Sequence, residues 1–171
     1  SLGGPPSGLI VTRDDALAER LDTIAYPGLT ANFDAGKSAS LAITLLDWKR
    51  HGRDYGAAMA ATAQALAREL SARGLPVFAA ARGGTVSHQF AIEAARFGGG
   101  QAASKRLRRA NILACGIGLP VAAVEGDVNG LRLGTPEIAR WGMTASDMPE
   151  LAALIARALA GNEEPEAVAA D

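Results

Sequence analysis

Residues 129–136, Asn-Gly-Leu-Arg-Leu-Gly-Thr-Pro, contain the side chain with the clearest potential for chemistry, the guanidinium of Arg132. Leu131 and Leu133 alternate with Arg132, which predicts a short strand that turns the arginine away from both leucines. A guanidinium held in this way can bind a carboxylate through two parallel hydrogen bonds. It can instead form a structural ion pair with a nearby Asp or Glu, and structural arginines are the commoner kind.

The three residues after this predicted strand would fix the position of Arg132. Gly134 permits a tight turn, Thr135 can cap a following helix, and Pro136 fits the first turn of that helix. The sequence therefore predicts a strand, a turn and a helix in immediate succession.

Few other residues have types and spacings that point to chemistry. His88 follows Gly-Gly-Thr at the start of an apolar stretch, where it could orient a loop, line a site or serve as a structural histidine. The loop at residues 28–33 precedes a predicted helix, so it could offer backbone N–H groups to an anion or be a plain surface connection. Cys115 has no identifiable partner base and is predicted to be a small buried residue. The two histidines and one cysteine lack metal-ligand spacing, so no metal site is predicted.

The composition is that of an ordinary globular protein. Of 171 residues 49% are apolar and 20% charged, and the formal net charge of −1 gives no attraction to nucleic acid or to an anionic membrane. The basic cluster at residues 105–109 has no interleaved aromatic residues, so a solvated helix face is expected. Apolar runs are too short to span a bilayer, and a single cysteine suits a reducing cytoplasm. We therefore expect a cytoplasmic protein without nucleic-acid or membrane partners.

The hydrophobic pattern of the first third predicts a buried strand at residues 9–11 and a helix that ends at Tyr26. Two further helices are predicted, one ending near residue 51 and one at residues 54–73. They can be continuous, because Gly52 is a weak stop. A single strand in this position has no sheet to join, which indicates the carboxy-terminal part of a longer protein.

An α+β domain is predicted from roughly residue 52 onwards. Its strands are expected at residues 77–79, 87–94, 112–114 and 131–133, and its helices at residues 54–73, 101–110, 135–141 and 146–160. Residues 161–171 are acidic and small, and are predicted to form a frayed tail.

Five motifs in this order resemble those of serine hydroxymethyltransferases, pyridoxal-phosphate enzymes of the aspartate aminotransferase fold. They are Ser-Leu-Gly-Gly-Pro with Gly-Leu-Ile at residues 1–10, Tyr-Pro-Gly at 26–28, Gly-Gly-Thr-x-x-His at 83–88, Arg-Ala-Asn-Ile at 109–112 and Leu-Arg-Leu-Gly-Thr-Pro at 131–136. The resemblance implies an α/β pyridoxal-phosphate-dependent transferase of fold type I. This chain would cover the end of the large cofactor-binding domain, residues 1–51, and the small carboxy-terminal α+β domain, residues 52–160.

The resemblance also implies roles for individual residues. Arg132 would bind the α-carboxylate of an amino-acid substrate, and Tyr26 and His88 would lie near the active site. The loop that reaches the cofactor phosphate of a neighbouring subunit would include Thr30, Ala31 and Asn32. Shared sites of this kind imply a homodimer or larger homo-oligomer. The Schiff-base lysine would fall just before Ser1, so this chain by itself holds no catalytic residue and should not be active.

The implied activity is that of a hydroxymethyltransferase, which cleaves or forms the Cα–Cβ bond of serine or a related β-hydroxy amino acid with tetrahydrofolate as one-carbon acceptor. However, Cys115, Gly116 and Ile117 replace a polar segment near the family's folate pocket. This departure motivates an alternative, a folate-independent aldolase or transaldolase on the same fold. A further alternative is a non-catalytic structural or regulatory relative.

Overall fold

The computed structural model describes residues 2–32 and 34–170, so Ser1, Phe33 and Asp171 lie outside the description. The chain divides into two compact units, Ser1–Gly52 and Arg53–Asp171. Helix α2, Ala35–Ala72, begins in the first unit and ends in the second, with Gly52 inside it.

The first unit begins with extended chain and helix α1, Asp15–Thr23. The Asp14 carboxylate caps α1, because its Oδ1 accepts a hydrogen bond from the Leu17 N–H at 2.9 Å. A wide turn, Ile24–Leu29, follows and is kinked at Tyr26. It closes where the Thr30 N–H donates to the Ala25 carbonyl at 2.9 Å.

The strand predicted at residues 9–11 is absent. Leu9, Ile10 and Val11 are 55%, 72% and 82% exposed, and they form no ladder with any described residue. A strand exists only where a neighbouring strand accepts and donates its backbone hydrogen bonds, and the described chain offers none here.

The second unit contains a three-stranded antiparallel sheet in the order β1-β3-β2. Its strands are β1, Gln89–Glu93; β2, Cys115–Ile117; and β3, Gly130–Gly134. Besides the second half of α2, the described helices of this unit are α3, Gly100–Arg109; α4, Pro136–Arg140; α5, Met148–Ala160; and α6, Pro165–Val168. Short 3₁₀ turns lie at Ala80–Arg82, Ala95–Phe97 and Ala145–Asp147.

The core of the second unit lies between one face of the sheet and the helices packed on it. Its largest fully buried apolar side chains are Leu70, Ile92, Leu107, Leu131, Met148 and Ile155. Helix α3 approaches the sheet closely because glycines occupy the contact points. A Cβ on Gly100 of α3 would overlap the Gly130 carbonyl oxygen. A Cβ on Gly116 of β2 would lie 2.6 Å from the Val128 Cγ2.

Two predicted strands are misplaced. The strand expected at residues 112–114 is found at Cys115–Ile117, because the preceding residues still complete the end of α3. Asn111 has a positive φ of 58°, and the Ile112 N–H donates to the Leu107 carbonyl at 3.0 Å. The strand expected at residues 77–79 is reduced to a single bridge between Val77 and Ile92, since Ala79 turns the chain with a φ of 58°.

The predicted frayed tail is also wrong for the described part of residues 161–171. Helix α6 packs on the core, where Pro165 is fully buried and Val168 is 2% exposed. The Arg109 guanidinium binds the carboxylates of Glu164 and Glu166, both at 2.7 Å. Acidic composition favours disorder only when no apolar side chain or opposite charge can dock the segment.

None of the helices in the described residues combines the length and the apolar character that crossing a membrane requires.

Candidate active-site elements

Arg132 lies in the central strand of the sheet, on the face opposite the core. Leu131 and Leu133 are 0% and 4% exposed, whereas the Arg132 side chain is exposed, so the predicted alternation is present in β3. No described residue accepts a hydrogen bond from the Arg132 guanidinium or forms an ion pair with it. The structural ion pair considered as an alternative is thus not formed within the described chain, and the guanidinium can bind an external anion.

The neighbours of Arg132 across the sheet are small. Ala91 of β1 and Cys115 of β2 stand directly opposite it, and Gly130 and Gly134 follow on the same face of β3. Cross-strand side chains shape the space above a strand residue. Ala91, Cys115 and Gly134 therefore place little side-chain bulk beside the guanidinium, whereas Leu119 covers Gly130, since a Cβ there would lie 2.6 Å from the Leu119 Cγ.

Thr135 anchors the end of β3, although not in the way expected. It occupies the position before α4, but its side chain does not cap that helix. Its buried hydroxyl donates instead to the Met59 carbonyl of α2 at 2.7 Å, and its N–H donates to the His88 carbonyl at 3.0 Å. Thr135 therefore ties the strand that carries Arg132 to both α2 and the segment before β1.

His88 lies one residue before β1, next to Thr135 at the end of β3. The His88 backbone carbonyl accepts the hydrogen bond from the Thr135 N–H, and the His88 ring Nδ1 lies 3.3 Å from the Ser87 hydroxyl. The structure thus places His88 directly before β1, the strand that pairs with the strand carrying Arg132.

Asn129 holds the chain at the start of β3, a role that sequence reasoning missed. Its Oδ1 accepts from the Leu119 N–H at 2.7 Å, and its Nδ2 donates to the carbonyls of Leu119 at 2.9 Å and Val121 at 3.0 Å. The Asn129 carbonyl also accepts from the Ala94 N–H at 2.8 Å. One buried amide thereby fixes a loop to the central strand, and the partners are too far apart in sequence to be recognised as a motif.

Asp127 is a second positioning residue that the sequence did not reveal. Its carboxylate accepts hydrogen bonds from the N–H groups of Ala102 at 3.0 Å, Gln101 at 3.1 Å and Val128 at 2.6 Å. These bonds, the one from Ala102 foremost, hold the pKa of Asp127 below its ordinary range. A carboxylate distant in sequence therefore satisfies the N-terminus of α3.

The loop predicted to bind the cofactor phosphate lines a cavity in the first unit. This cavity, of about 1070 Å³, is bordered by Tyr26, Thr30, Ala31, Asn32, Asp34 and Lys37 among others. Phe33, the last residue of the predicted loop, lies outside the described residues. The structure thus places Tyr26 and residues 30–32 around one space within the first unit, directly before α2.

The donors in this cavity fit a phosphate. No described residue accepts a hydrogen bond from the backbone N–H of Ala31 or Asn32, and the Lys37 ammonium forms no ion pair with a described residue. The N-terminus of α2 adds a favourable dipole. Asp34 already caps that helix through the Lys37 N–H at 3.2 Å, so the anion would bind at the loop rather than on the helix end.

Among the described residues, no group of three or more His, Cys, Asp or Glu side chains could hold a metal ion.

Known proteins with similar sequences carry two names. The chain is 68% identical over 171 residues to an α-methylserine aldolase of Variovorax paradoxus, covering 100% of this chain and 38% of that protein. It is 38% identical over 170 residues to the serine hydroxymethyltransferase of Methanopyrus kandleri, covering 98% of this chain and 40% of that protein. The chain is homologous to the carboxy-terminal part of these enzymes. No protein-family model matches it.

A solved structure shows the same fold. The L-threonine transaldolase of Pseudomonas fluorescens superposes with a TM-score of 0.83 at 27% identity, over 99% of this chain and 38% of that one. The predicted resemblance to the serine hydroxymethyltransferase family and the predicted fold type I are therefore confirmed. The chain spans about two fifths of the length of the relatives that it matches.

Proposed function

We propose that this chain is the carboxy-terminal part of a pyridoxal-phosphate-dependent aldolase that cleaves the Cα–Cβ bond of an α-methylated β-hydroxy amino acid. The observation that carries this proposal is the 68% identity to α-methylserine aldolase along the whole chain, against 38% to serine hydroxymethyltransferase. Of the two activities predicted from the sequence, the aldolase alternative is therefore better supported than the hydroxymethyltransferase.

The reaction would release the hydroxymethyl carbon of α-methylserine as formaldehyde. The bond between Cα and Cβ breaks, the substrate hydroxyl loses its proton, and Cα gains a proton to give alanine. Bound pyridoxal phosphate would supply the electron sink for the electron pair left at Cα. The task of this chain is to hold the substrate and the cofactor in the orientation that this bond cleavage requires.

Arg132 is proposed to hold the substrate carboxylate. Its guanidinium is exposed on the open sheet face and has no described partner, so it can bind a carboxylate in two parallel hydrogen bonds. Fixing the carboxylate limits rotation about the bonds at Cα, which decides which of them is aligned for cleavage. Thr135 supports this role, because its bond to Met59 anchors the strand end beside the arginine.

The loop of Thr30, Ala31 and Asn32 is proposed to hold the cofactor phosphate. Two backbone N–H groups without described acceptors and the Lys37 ammonium offer the donors that a phosphate needs. We further propose that Tyr26 lies at the edge of the same site, since its exposed side chain borders the cavity.

Tetrahydrofolate is not required in this proposal. Strand β2 carries Cys115, Gly116 and Ile117, which provide no amide or charged side chain for a folate. The second candidate, a folate-dependent hydroxymethyltransferase, is favoured only by the more distant relatives.

Two further properties belong to the proposal. The resemblance supports a homodimer or larger assembly with shared sites, and the single cysteine supports a cytoplasmic location.

The complete protein loaded with pyridoxal phosphate provides the test. We expect it to convert α-methylserine to alanine and formaldehyde without folate, and to leave serine with tetrahydrofolate largely unreacted. Faster turnover of serine with tetrahydrofolate would instead establish the hydroxymethyltransferase. Sedimentation of the same sample measures the oligomeric state.

The third alternative, a non-catalytic relative, is tested by the cofactor itself. The complete protein should show a visible absorption band that borohydride abolishes, and peptide mapping should locate the reduced cofactor on a lysine outside this chain. Absence of such a band, with pyridoxal phosphate supplied in excess, would establish the non-catalytic relative.

A further inference from the structure

The second unit contains a cavity that no step of the proposed reaction uses. It lies between the second half of α2 and the loop that leads to β1, and its volume is about 650 Å³. We call it the arginine groove, lined by Gln64, Arg68, Val77, Arg82, Gly84 and Val86 among others. A volume of this size is typical of sites for small molecules.

The charge of the arginine groove is unbalanced. Arg68 and Arg82 both line it, no Asp or Glu does, and neither guanidinium has a hydrogen bond or ion pair with a described residue. Three other arginines of this unit are paired with carboxylates: Arg73 with Glu69 at 2.8 Å, Arg109 with Glu164 and Glu166, and Arg157 with Glu163. Two unpaired guanidiniums in one concave site attract an anion, and their planar donors suit carboxylate or phosphate groups.

The loop that forms one wall is held in place before any ligand binds. Gly84 has a φ of 73° and lies against α2, since a Cβ there would be 3.4 Å from the Ala67 Cβ. The Thr85 hydroxyl donates to the Gln89 carbonyl at 2.7 Å and accepts from the Ser87 N–H at 2.9 Å. The wall is therefore preorganised, which lowers the entropic cost of binding.

The apolar part of the groove limits the kind of anion. Val77 and Val86 both line it, and Val77 is buried whereas Val86 is 90% exposed. We infer that the arginine groove is a binding site for a small organic anion, with a carboxylate or phosphate held by Arg68 and Arg82 and a short apolar body against the valines. This site is separate from Arg132 and does not depend on the proposed aldolase activity.

Calorimetric titration of the complete protein, saturated with pyridoxal phosphate, tests the inference with two probes, succinate and inorganic phosphate. We expect at least one probe to bind. We expect Arg68→Gln and Arg82→Gln each to weaken that binding roughly tenfold or more, the loss of one charge-assisted contact. The probe that binds more tightly identifies the anionic group that the site prefers.

Two matched variants separate this site from other cationic surfaces. Arg108→Gln removes an exposed arginine of α3 outside the groove, and Arg132→Gln removes the proposed substrate arginine. Probe binding should persist in both. Equal weakening in Arg108→Gln, loss of binding only in Arg132→Gln, or no binding of either probe would each overturn the inference. Constant cofactor absorbance and an unchanged melting temperature show that the variants remain folded and loaded.

Discussion

The two units of this chain differ in where their apolar side chains lie. In the first unit Leu9, Ile10, Val11, Ile43 and Leu46 are each 55% to 82% exposed. In the second unit the buried core cluster runs from Ala63 to Val168 and includes side chains that are fully excluded from water. Burial of apolar surface is the main favourable contribution to folding, so the second unit has its own source of stability and the described part of the first unit has little.

The difference indicates how each unit contributes to function. The second unit holds Arg132 on a strand fixed by Thr135 and Asn129, and this frame is complete within the chain. The first unit presents the loop of residues 30–32 on an open cavity. Because the relatives are more than twice as long, we expect surfaces outside this chain to cover the exposed apolar residues of the first unit in the complete protein.

The largest effect is expected where α3 meets the sheet in the second unit. In Gly100→Ala the new methyl group would overlap the Gly130 carbonyl oxygen, and neither backbone can move freely. We expect a loss of about 3 kcal/mol or more in the free energy of unfolding, measured by urea denaturation. Gly118→Ala is the control, since nothing lies within 4 Å of its Cβ position, and a similar loss there would contradict the explanation.

A pair of isoleucines tests the comparison between the units directly. Ile92 is 0% exposed and Ile43 is 62% exposed. In the isolated chain, Ile92→Ala should cost about 2–5 kcal/mol in unfolding free energy and Ile43→Ala less than about 0.5 kcal/mol.

In the complete protein the cost of Ile43→Ala should rise above about 1 kcal/mol if other surfaces cover this side chain. Urea denaturation of both forms measures the change. A cost that stays near zero would mean that Ile43 remains exposed in the complete protein.

A pH effect of intermediate size is expected at Asp127. Because the pKa of its carboxyl is lower in the folded state than in the unfolded state, its contribution to stability is present above the ordinary aspartate pKa, about 4, and is lost as the pH falls through the folded value. Asp127→Asn should therefore destabilise the protein at neutral pH and have a smaller effect near pH 3, measured by melting temperature. Asp22→Asn in the exposed helix α1 is the control, because the Asp22 carboxylate accepts no hydrogen bond from a described residue.

The smallest effect on stability, but a large one on binding, is expected for Arg132→Ala. The side chain is exposed and unpaired within the described chain, so unfolding free energy should change by less than about 0.5 kcal/mol. In the complete protein, amino-acid affinity should fall roughly ten- to hundredfold while cofactor affinity is unchanged. Titrations that follow cofactor absorbance measure both, and an unchanged amino-acid affinity would exclude the proposed role of Arg132.

Sequence patterns over a few neighbouring residues predicted the strands and helices that such neighbours determine. The alternation around Arg132 predicted β3, and the apolar spacing near the end of the chain predicted the helix that is α5, Met148–Ala160. The strand expected at residues 112–114 was wrong, because residues 110–112 form the turn that ends α3 and only then can the chain pair with β3. The continuity of α2 through Gly52 was left open, since one glycine lowers helix stability by only about 1 kcal/mol.

The order of residues along the chain is enough to show that position 132 carries a guanidinium, that it alternates with two apolar neighbours, and which family the motifs resemble. The packing of the second unit is needed to show that Arg132 has no described acidic partner, that Thr135 bonds to Met59 rather than to its own helix, and that Asp127 completes α3. These contacts join residues that are distant along the chain. A hydrogen bond or packing contact between residues that are tens of positions apart leaves no periodic pattern in the sequence, because it depends on how whole helices and strands pack together.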